Sequence, residues 1–352
     1  MARVEESTGM TNRSSGGRGR GGLRRLLPGS GGLRVLRLAA LAIVLIIAAA
    51  VVTVTVQWRG APSRDDLLEQ AGLTGKKHLV IGVKNDHPGM ALLNPDTKVY
   101  EGFDIDISYM IAADLGFLHD QVEFVAIETE DRARRQARRS DGTFVTVDLV
   151  IATYSITPER EKQPGVSFSA PYLRTEQTIM TRKGEYLDAQ SVADFQDKVV
   201  CTTATSTNES VAAKAGVLLT SRNSARNCVD GLRDGTFEAV ASDAAILAGF
   251  VHKESELFEL HDIGLAEDEL YGVNTGENSA LTALVNLSLY ESLHDPNDRT
   301  WEEAFETHLN PAQKSAGLQQ IAIAEQPCVP KVAVREWPWE ERELLPTDHC
   351  PL

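Results

Sequence analysis

The stretch Val147–Ser169, VDLVIATYSITPEREKQPGVSFS, holds residue types suited to gripping a small anion. Val147 to Tyr154 is mostly apolar and β-branched, which predicts a buried strand. It breaks into Ser155, Ile156 and Thr157, followed by Pro158, Glu159 and Arg160. Thr before Pro and Glu predicts a helix start, with Thr157 as the cap and Pro158 at the first helical position. A strand feeding a helix N-terminus presents unpaired backbone N–H groups, hydroxyls and here a guanidinium, a combination suited to a carboxylate. A capped helix with a surface arginine is the competing account of the same residues.

In open parallel sheets, ligands bind beyond the carboxyl ends of the strands. Four predicted strand ends carry polar groups. HLVIGVKND (78–86) runs into Lys84, Asn85, Asp86 and His87, and the Val147 strand offers Thr153 to Arg160. KVVCTTA (198–204) leads to Thr205, Ser206 and Thr207, and FEAVASD (237–243) ends in Asp243. A guanidinium from one unit and a carboxylate from the other would clamp the two charged ends of a free amino acid. The competing role for Asp243 is an N-cap to the helix that follows it.

The elements that must position these groups alternate. After the strand at 78–86, FDIDISYMIAADLG (103–116) reads as an amphipathic helix, VEFVAIE (122–128) as a strand and EDRARRQARR (130–139) as a second helix. Downstream the pattern restarts. Strands are expected at 198–204, 237–243 and 270–276, with helices at 210–216, 224–235, 244–254, 281–293 and 301–309. Strands separated by helices of about ten residues indicate parallel βαβ architecture, here as two α/β units. Residues 311–352 look irregular.

Composition bounds the rest. A chain of 352 residues with 42% hydrophobic residues can bury two cores. The net charge is −15, yet eight Arg against Glu5 and Glu6 give residues 1–37 a balance of +6, which leaves −21 for the remainder. An acidic body of that size argues against nucleic acid as a partner. Residues 11–33 are rich in Gly, Arg and Ser, a disordered basic leader. No charge falls between Leu38 and Trp58, long enough to cross a bilayer, with arginines before it. The positive-inside rule then predicts a cytoplasmic N-terminus and an external body, joined by a polar linker at 58–77. A signal peptide cut near Ala48-Ala49-Ala50 is the alternative, and the length of the apolar run favours a retained anchor. No Cys follows that run to accept a lipid. Cys201, Cys228, Cys328 and Cys350 lie in the external part, an even count that suggests disulfides. None forms a CxxC pair, which argues against zinc and thiol redox chemistry. No metal or cofactor is expected.

GFDIDI (102–107), SITPER (155–160), FSAPY (168–172) and DGTFEAVASD (234–243) together resemble the extracytoplasmic polar amino-acid-binding proteins of ABC importers, over about residues 77–309. IGVKNDHPG, ATYSIT, VVCTTATST and NCVDG…DAAILAGF look like the glutamate-binding members from actinobacteria. The resemblance implies a two-lobed periplasmic-binding-protein-like α/β fold of type II, with two hinge strands and closure over the ligand. The first lobe would span 78–174 and return at 269–310, and the second 175–268. It also implies roles. Arg160 would hold an α-carboxylate with help from Ser155, Thr157 and Thr153. Asp243 would accept the α-ammonium, and Thr205, Ser206 and Thr207 would reach in from the second lobe. His87 and the Glu128-Thr129 region stand where many relatives place aromatic residues. Lys84 and Arg132 are candidates for a side-chain carboxylate, hence for glutamate or aspartate. Their competing roles are a solvated strand-end lysine and an exposed basic face with Arg135 and Arg139.

Cys201 and Cys228 stand as in the glutamate-binding relatives, where such a pair can bridge. Cys328–Cys350 is then expected within the tail, since pairs tying the tail to the second lobe would resist closure. The leading function is an importer's binding subunit that meets membrane permease subunits. A membrane-anchored amino-acid sensor and a dehydratase-like enzyme on the same fold are the alternatives. A lytic enzyme would need a whole catalytic domain after residue 310.

Overall fold

The computed structural model describes residues 30–214, 216–261, 263, 268–316, 325–335 and 350. The basic leader before residue 30 lies outside the described residues. Ser30–Arg59 is a helix of 30 residues, and its stretch Gly32–Val54 is long and apolar enough to cross a bilayer. The chain up to Trp58 forms one unit, and Arg59–Leu352 forms the other.

Within the second unit, the first lobe is built on Leu79–Val83, flanked in parallel by Val122–Ala126 and Leu149–Val150. Val150 also bridges antiparallel to Asn274, where the returning chain joins. The helices Phe103–Asp114 and Ser279–His294 bring their apolar residues to the same core. Trp301 stands edge-on to Phe103 and donates its indole N–H to the Tyr172 carbonyl at 2.8 Å.

The second lobe repeats this order. Leu218–Arg222, Val199–Thr203 and Ala239–Asp243 are parallel, and Leu173–Arg182 lies antiparallel beside Ala239–Asp243, with Phe258–His261 beyond. The ten-residue strand Leu173–Arg182 is the crossing. Its first residues pair with Asp268–Tyr271 and its later ones with Ala239–Asp243, so two strands carry the chain between the lobes. Disulfides join Cys201 to Cys228 and Cys328 to Cys350.

Several expected elements differ. There is no helix over 130–139. Thr129–Asp131 is one 3-10 turn, and Gln136–Arg138 pairs with Phe144–Thr146 as a hairpin. Asp141 accepts from the Thr143 amide and hydroxyl, and Gly142 has φ +86°, a turn chemistry that outweighs helix propensity. The helix after Thr157 is a single turn, Pro158–Glu161. The segment 58–77 is not a plain linker. Arg64–Gln70 is a helix closed by a Ser63–Asp66 capping box, and Leu67 and Leu73 enter the first-lobe core. Asn310–Ser315 is helical, where irregular chain was expected. The segment 325–335 docks as well. Val329 is fully buried, and Arg335 bonds the Pro62 carbonyl and Asp66.

The lobes touch where backbone meets backbone. A Cβ on Gly249, in the second-lobe helix Ala244–Lys253, would lie 1.8 Å from the carbonyl oxygen of Pro88 in the first lobe. No side chain fits there while the lobes stand this close. Gly249→Ala is therefore expected to wedge them apart, weakening ligand binding at least tenfold and enlarging the radius of gyration of the liganded protein in X-ray scattering. Wild-type affinity in a folded Gly249→Ala protein would show that this approach plays no part in binding.

Candidate functional site

The strand ends of both lobes converge on a narrow cleft with a cavity volume of about 20 Å³. The first lobe contributes His87, Thr129, Arg132, Thr153, Ser155 and Arg160. The second contributes Thr203, Ser206, Thr207, Asn208, Ser242, Asp243 and Ile246. Most of the residues singled out in the sequence meet here, and Lys84, Thr157 and Thr205 do not line the cleft itself.

Thr157 caps the single turn Pro158–Glu161, accepting from the Arg160 amide at 3.2 Å. That turn delivers the Arg160 side chain inward. Its Nη1 donates to the Ser155 carbonyl at 2.8 Å, and its Nη2 crosses to the second lobe and the Thr205 carbonyl at 3.1 Å. Arg132 is buried too, against the expectation of an exposed basic face. Its Nε bonds the Thr129 carbonyl, and its Nη1 bonds the carbonyls of Ala152 and Thr153 at 3.1 and 2.8 Å. Both guanidiniums lie over the Tyr154 ring, at 4.4 Å for Arg132 and 4.9 Å for Arg160. Carbonyls and a ring face supply partial negative charge without neutralising either cation. Burial, with Arg160 nearby, lowers the Arg132 guanidinium to about 9.

Asp243 faces them from the second lobe. It stands at the start of helix Ala244–Lys253, yet its side chain makes no capping bond. Instead Oδ1 accepts from Asn208 at 2.7 Å and Oδ2 from the Tyr271 hydroxyl at 2.5 Å. Burial raises its carboxyl to about 7, and Glu269 nearby adds to the effect. The turn leading into the helix Thr207–Lys214, which carries Asn208, is tightly set. Thr205 has φ 61° and donates its amide to Glu209, while the Ser206 hydroxyl meets that of Thr202.

Lys84 is buried rather than solvated, but its ammonium turns to the Ile127 carbonyl and the Thr129 hydroxyl, both at 3.3 Å, and lies 3.9 Å from Asp86. Asp86 in turn accepts from the amide of Arg226, at the start of the second-lobe helix Ala225–Arg233. His87 sits between, its Nδ1 3.4 Å from the Thr153 hydroxyl, and burial drives its pKa down to about 4, so the ring is neutral near pH 7. Sequence reasoning missed Tyr154, Asn208 and Tyr271. A polar residue in the first turn after a strand was the available signal for Asn208.

Residues 79–321 match the bacterial extracellular solute-binding proteins, family 3. The glutamate-binding protein GluB of Corynebacterium efficiens is 30% identical over 224 residues, covering 60% of this chain and 73% of that protein. The ABC transporter glutamine-binding protein GlnH of Bacillus subtilis is 29% identical over 236 residues, covering 66% and 82%. Among solved structures, a solute receptor for L-cysteine of Neisseria gonorrhoeae superposes with a TM-score of 0.60 at 27% identity, covering 69% of this chain and 94% of that one. The fold is thus the two-lobed type II architecture of periplasmic binding proteins, and the mixed strand order of each lobe agrees with it.

The raised carboxyl of Asp243 makes a signed prediction. Its folded pKa lies above the unfolded value, so between about 4 and 7 the folded state binds more protons, and this residue's contribution to stability falls as pH rises through that window. Asp243→Asn should remove that loss. The ligand-free variant should be more stable than wild type at pH 8, by on the order of 1–3 kcal/mol, with the gap closing towards pH 5. Thermal melts across pH check this, and a lower melting temperature for the variant at pH 8 would contradict it.

Proposed function

The chain belongs to the bacterial extracellular solute-binding proteins of family 3, and on that premise we propose that it captures an acidic α-amino acid, glutamate foremost, for an ABC-type importer. One observation carries this reading: two buried guanidiniums, Arg132 and Arg160, face one buried carboxylate, Asp243. The complement of that set is a ligand with two carboxylates and one ammonium.

In this reading Arg160 takes the α-carboxylate with Ser155 and Thr153, and Asp243 takes the ammonium, held for it by Asn208 and Tyr271. Arg132 takes the distal carboxylate from its own side of the Tyr154 ring. Ser206 and Thr207 close the cleft from the second lobe, and Thr205 accepts from Arg160 through its carbonyl. Lys84 and His87 serve as framework around Asp86 and Thr153. A neutral distal amide would leave one buried cation without its counter-charge, a larger cost than an imperfect hydrogen bond. The corynebacterial relatives named for glutamate support the acidic ligand, and the Bacillus relative named for glutamine marks the competitor to exclude.

Titration calorimetry of the full chain in detergent tests the ligand. Glutamate should outcompete glutamine by tenfold or more. Arg160→Ala should lose roughly 2–5 kcal/mol of binding, and Arg132→Met should narrow the preference for glutamate. Glutamine displacing glutamate at equal concentration would sink the acidic assignment. Ligand recovered chemically unchanged belongs to the same expectation, since the reading is of a binding protein and not an enzyme.

The helix Ser30–Arg59 is read as a retained anchor, with a cytoplasmic N-terminus and the binding unit outside. Mass spectrometry of the mature protein from membranes should find peptides on both sides of Ala50 in one chain. A mature N-terminus just after that alanine run would mean a cleaved signal instead.

A further inference from the structure

Asp104 is a fully buried carboxylate one residue into the helix Phe103–Asp114, outside the cleft lining. Among the described residues neither oxygen has a cationic hydrogen-bond partner. Oδ1 accepts the Tyr172 hydroxyl at 2.9 Å, and Oδ2 accepts the backbone amide of Thr153 at 3.1 Å. Burial raises its carboxyl to about 7. A buried acid with no cation hydrogen-bonded to it, and only the Arg132 guanidinium acting on it at longer range, is costly to keep, so what it holds is informative.

It holds Thr153 in an unfavourable backbone state. Thr153 has φ 45°, the left-handed region that a β-branched residue rarely enters. In that conformation the Ala152 and Thr153 carbonyls meet Nη1 of Arg132. It also brings the Thr153 hydroxyl to His87. The helix that carries Asp104 is itself fixed. Gly102 before it has φ 132°, and a Cβ there would lie 2.3 Å from the Met90 carbonyl oxygen. A chain of contacts therefore runs from a fixed helix start, through one carboxylate, to the cleft guanidinium.

We propose that Asp104 is a positioning residue for ligand selection: by holding the Thr153 amide it sets the carbonyls that aim Arg132, and with them the preference for a second carboxylate on the ligand. This rests on the reading that Arg132 meets the distal carboxylate. Asp104 does not touch the ligand; its effect passes through Thr153 and Arg132.

The test compares glutamate and glutamine affinities of the full chain in detergent, with a thermal melt of each variant. Asp104→Ala should lower glutamate affinity at least tenfold and bring the glutamate-to-glutamine ratio towards one. Asp104→Asn, whose carbonyl still accepts the Thr153 amide, should keep most of both. A role in folding alone would lower the melting temperature and leave the ratio where it was. Should Asp104→Ala not fold, Asp104→Glu keeps the charge but shifts the acceptor by one methylene, and it should narrow the ratio as well. Arg132→Met separates the two layers of inference. A ratio that narrows in Arg132→Met but not in a folded Asp104 variant overturns the positioning role alone. A ratio unmoved in both overturns it together with the reading of Arg132.

Discussion

Two guanidiniums share one aromatic ring in the interior of this protein, and most of the binding lobe's irregular structure follows from that. Arg132 and Arg160 both lie within 5 Å of the Tyr154 ring centre. Like charges in a region of low dielectric repel, and desolvation disfavours each of them further. No acidic side chain is hydrogen-bonded to either one among the described residues. Backbone carbonyls solvate them instead, from Thr129, Ala152, Thr153, Ser155 and Thr205. Carbonyls aimed sideways at a side chain are not available to a sheet ladder, and those of Ala152, Thr153 and Ser155 lie in the irregular chain that follows the strand Leu149–Val150. An anionic ligand, as proposed above, would relieve the repulsion between the two guanidiniums.

The same constraint couples the lobes. One of those carbonyls, Thr205, belongs to the second lobe, so a hydrogen bond of Arg160 forms only when the lobes face each other. Asp86 and the Arg226 amide make a second polar contact across the gap, and Pro88 against Gly249 sets how near the backbones come. Asp86 also leaves Oδ1 without a hydrogen bond, close to Lys84 and His87. The strand-end cluster is thus an electrostatic support for the interface between lobes, and its lysine reaches the cleft-lining Thr129 without lining the cleft itself.

Much of the site was legible because strand ends and helix starts have strong local signatures. Thr157, Pro158 and Arg160 announce a capped turn carrying a cation, and the structure has that turn. Asp243 at a strand end was equally plain, although its freedom from capping duty was not. Lys84 shows where sequence reasoning stopped short. Alternation along a strand puts Lys84 and Asp86 on one side, a pairing that the sequence contains and that weakens any claim of Lys84 on a ligand. Arg132 was drawn into a helix by the run of good helix formers around it, while the Asp141-Gly142-Thr143 turn a few residues later set a hairpin. Asp104 looked like one more polar residue on an amphipathic helix. Nothing local reveals that it reaches 49 residues along the chain to the amide of Thr153.

The acidic body and the cationic cleft show why bulk charge is a poor guide to a ligand. A remainder carrying −21 repels an anionic amino acid at long range, but salt at physiological strength screens that field beyond about 8 Å. Inside the cleft the relevant charges are Arg132, Arg160 and Asp243, all buried and unscreened by bulk ions. The long-range field therefore bears on how fast a ligand arrives, and the three buried charges bear on which ligand stays. A net charge that argues against nucleic acid as a partner is compatible with an acidic amino acid because the two ligands test the protein at different distances. A polyanion would meet the whole surface at once. In the proposed reading a small amino dicarboxylate would meet only two guanidiniums and the one carboxylate that matches its ammonium.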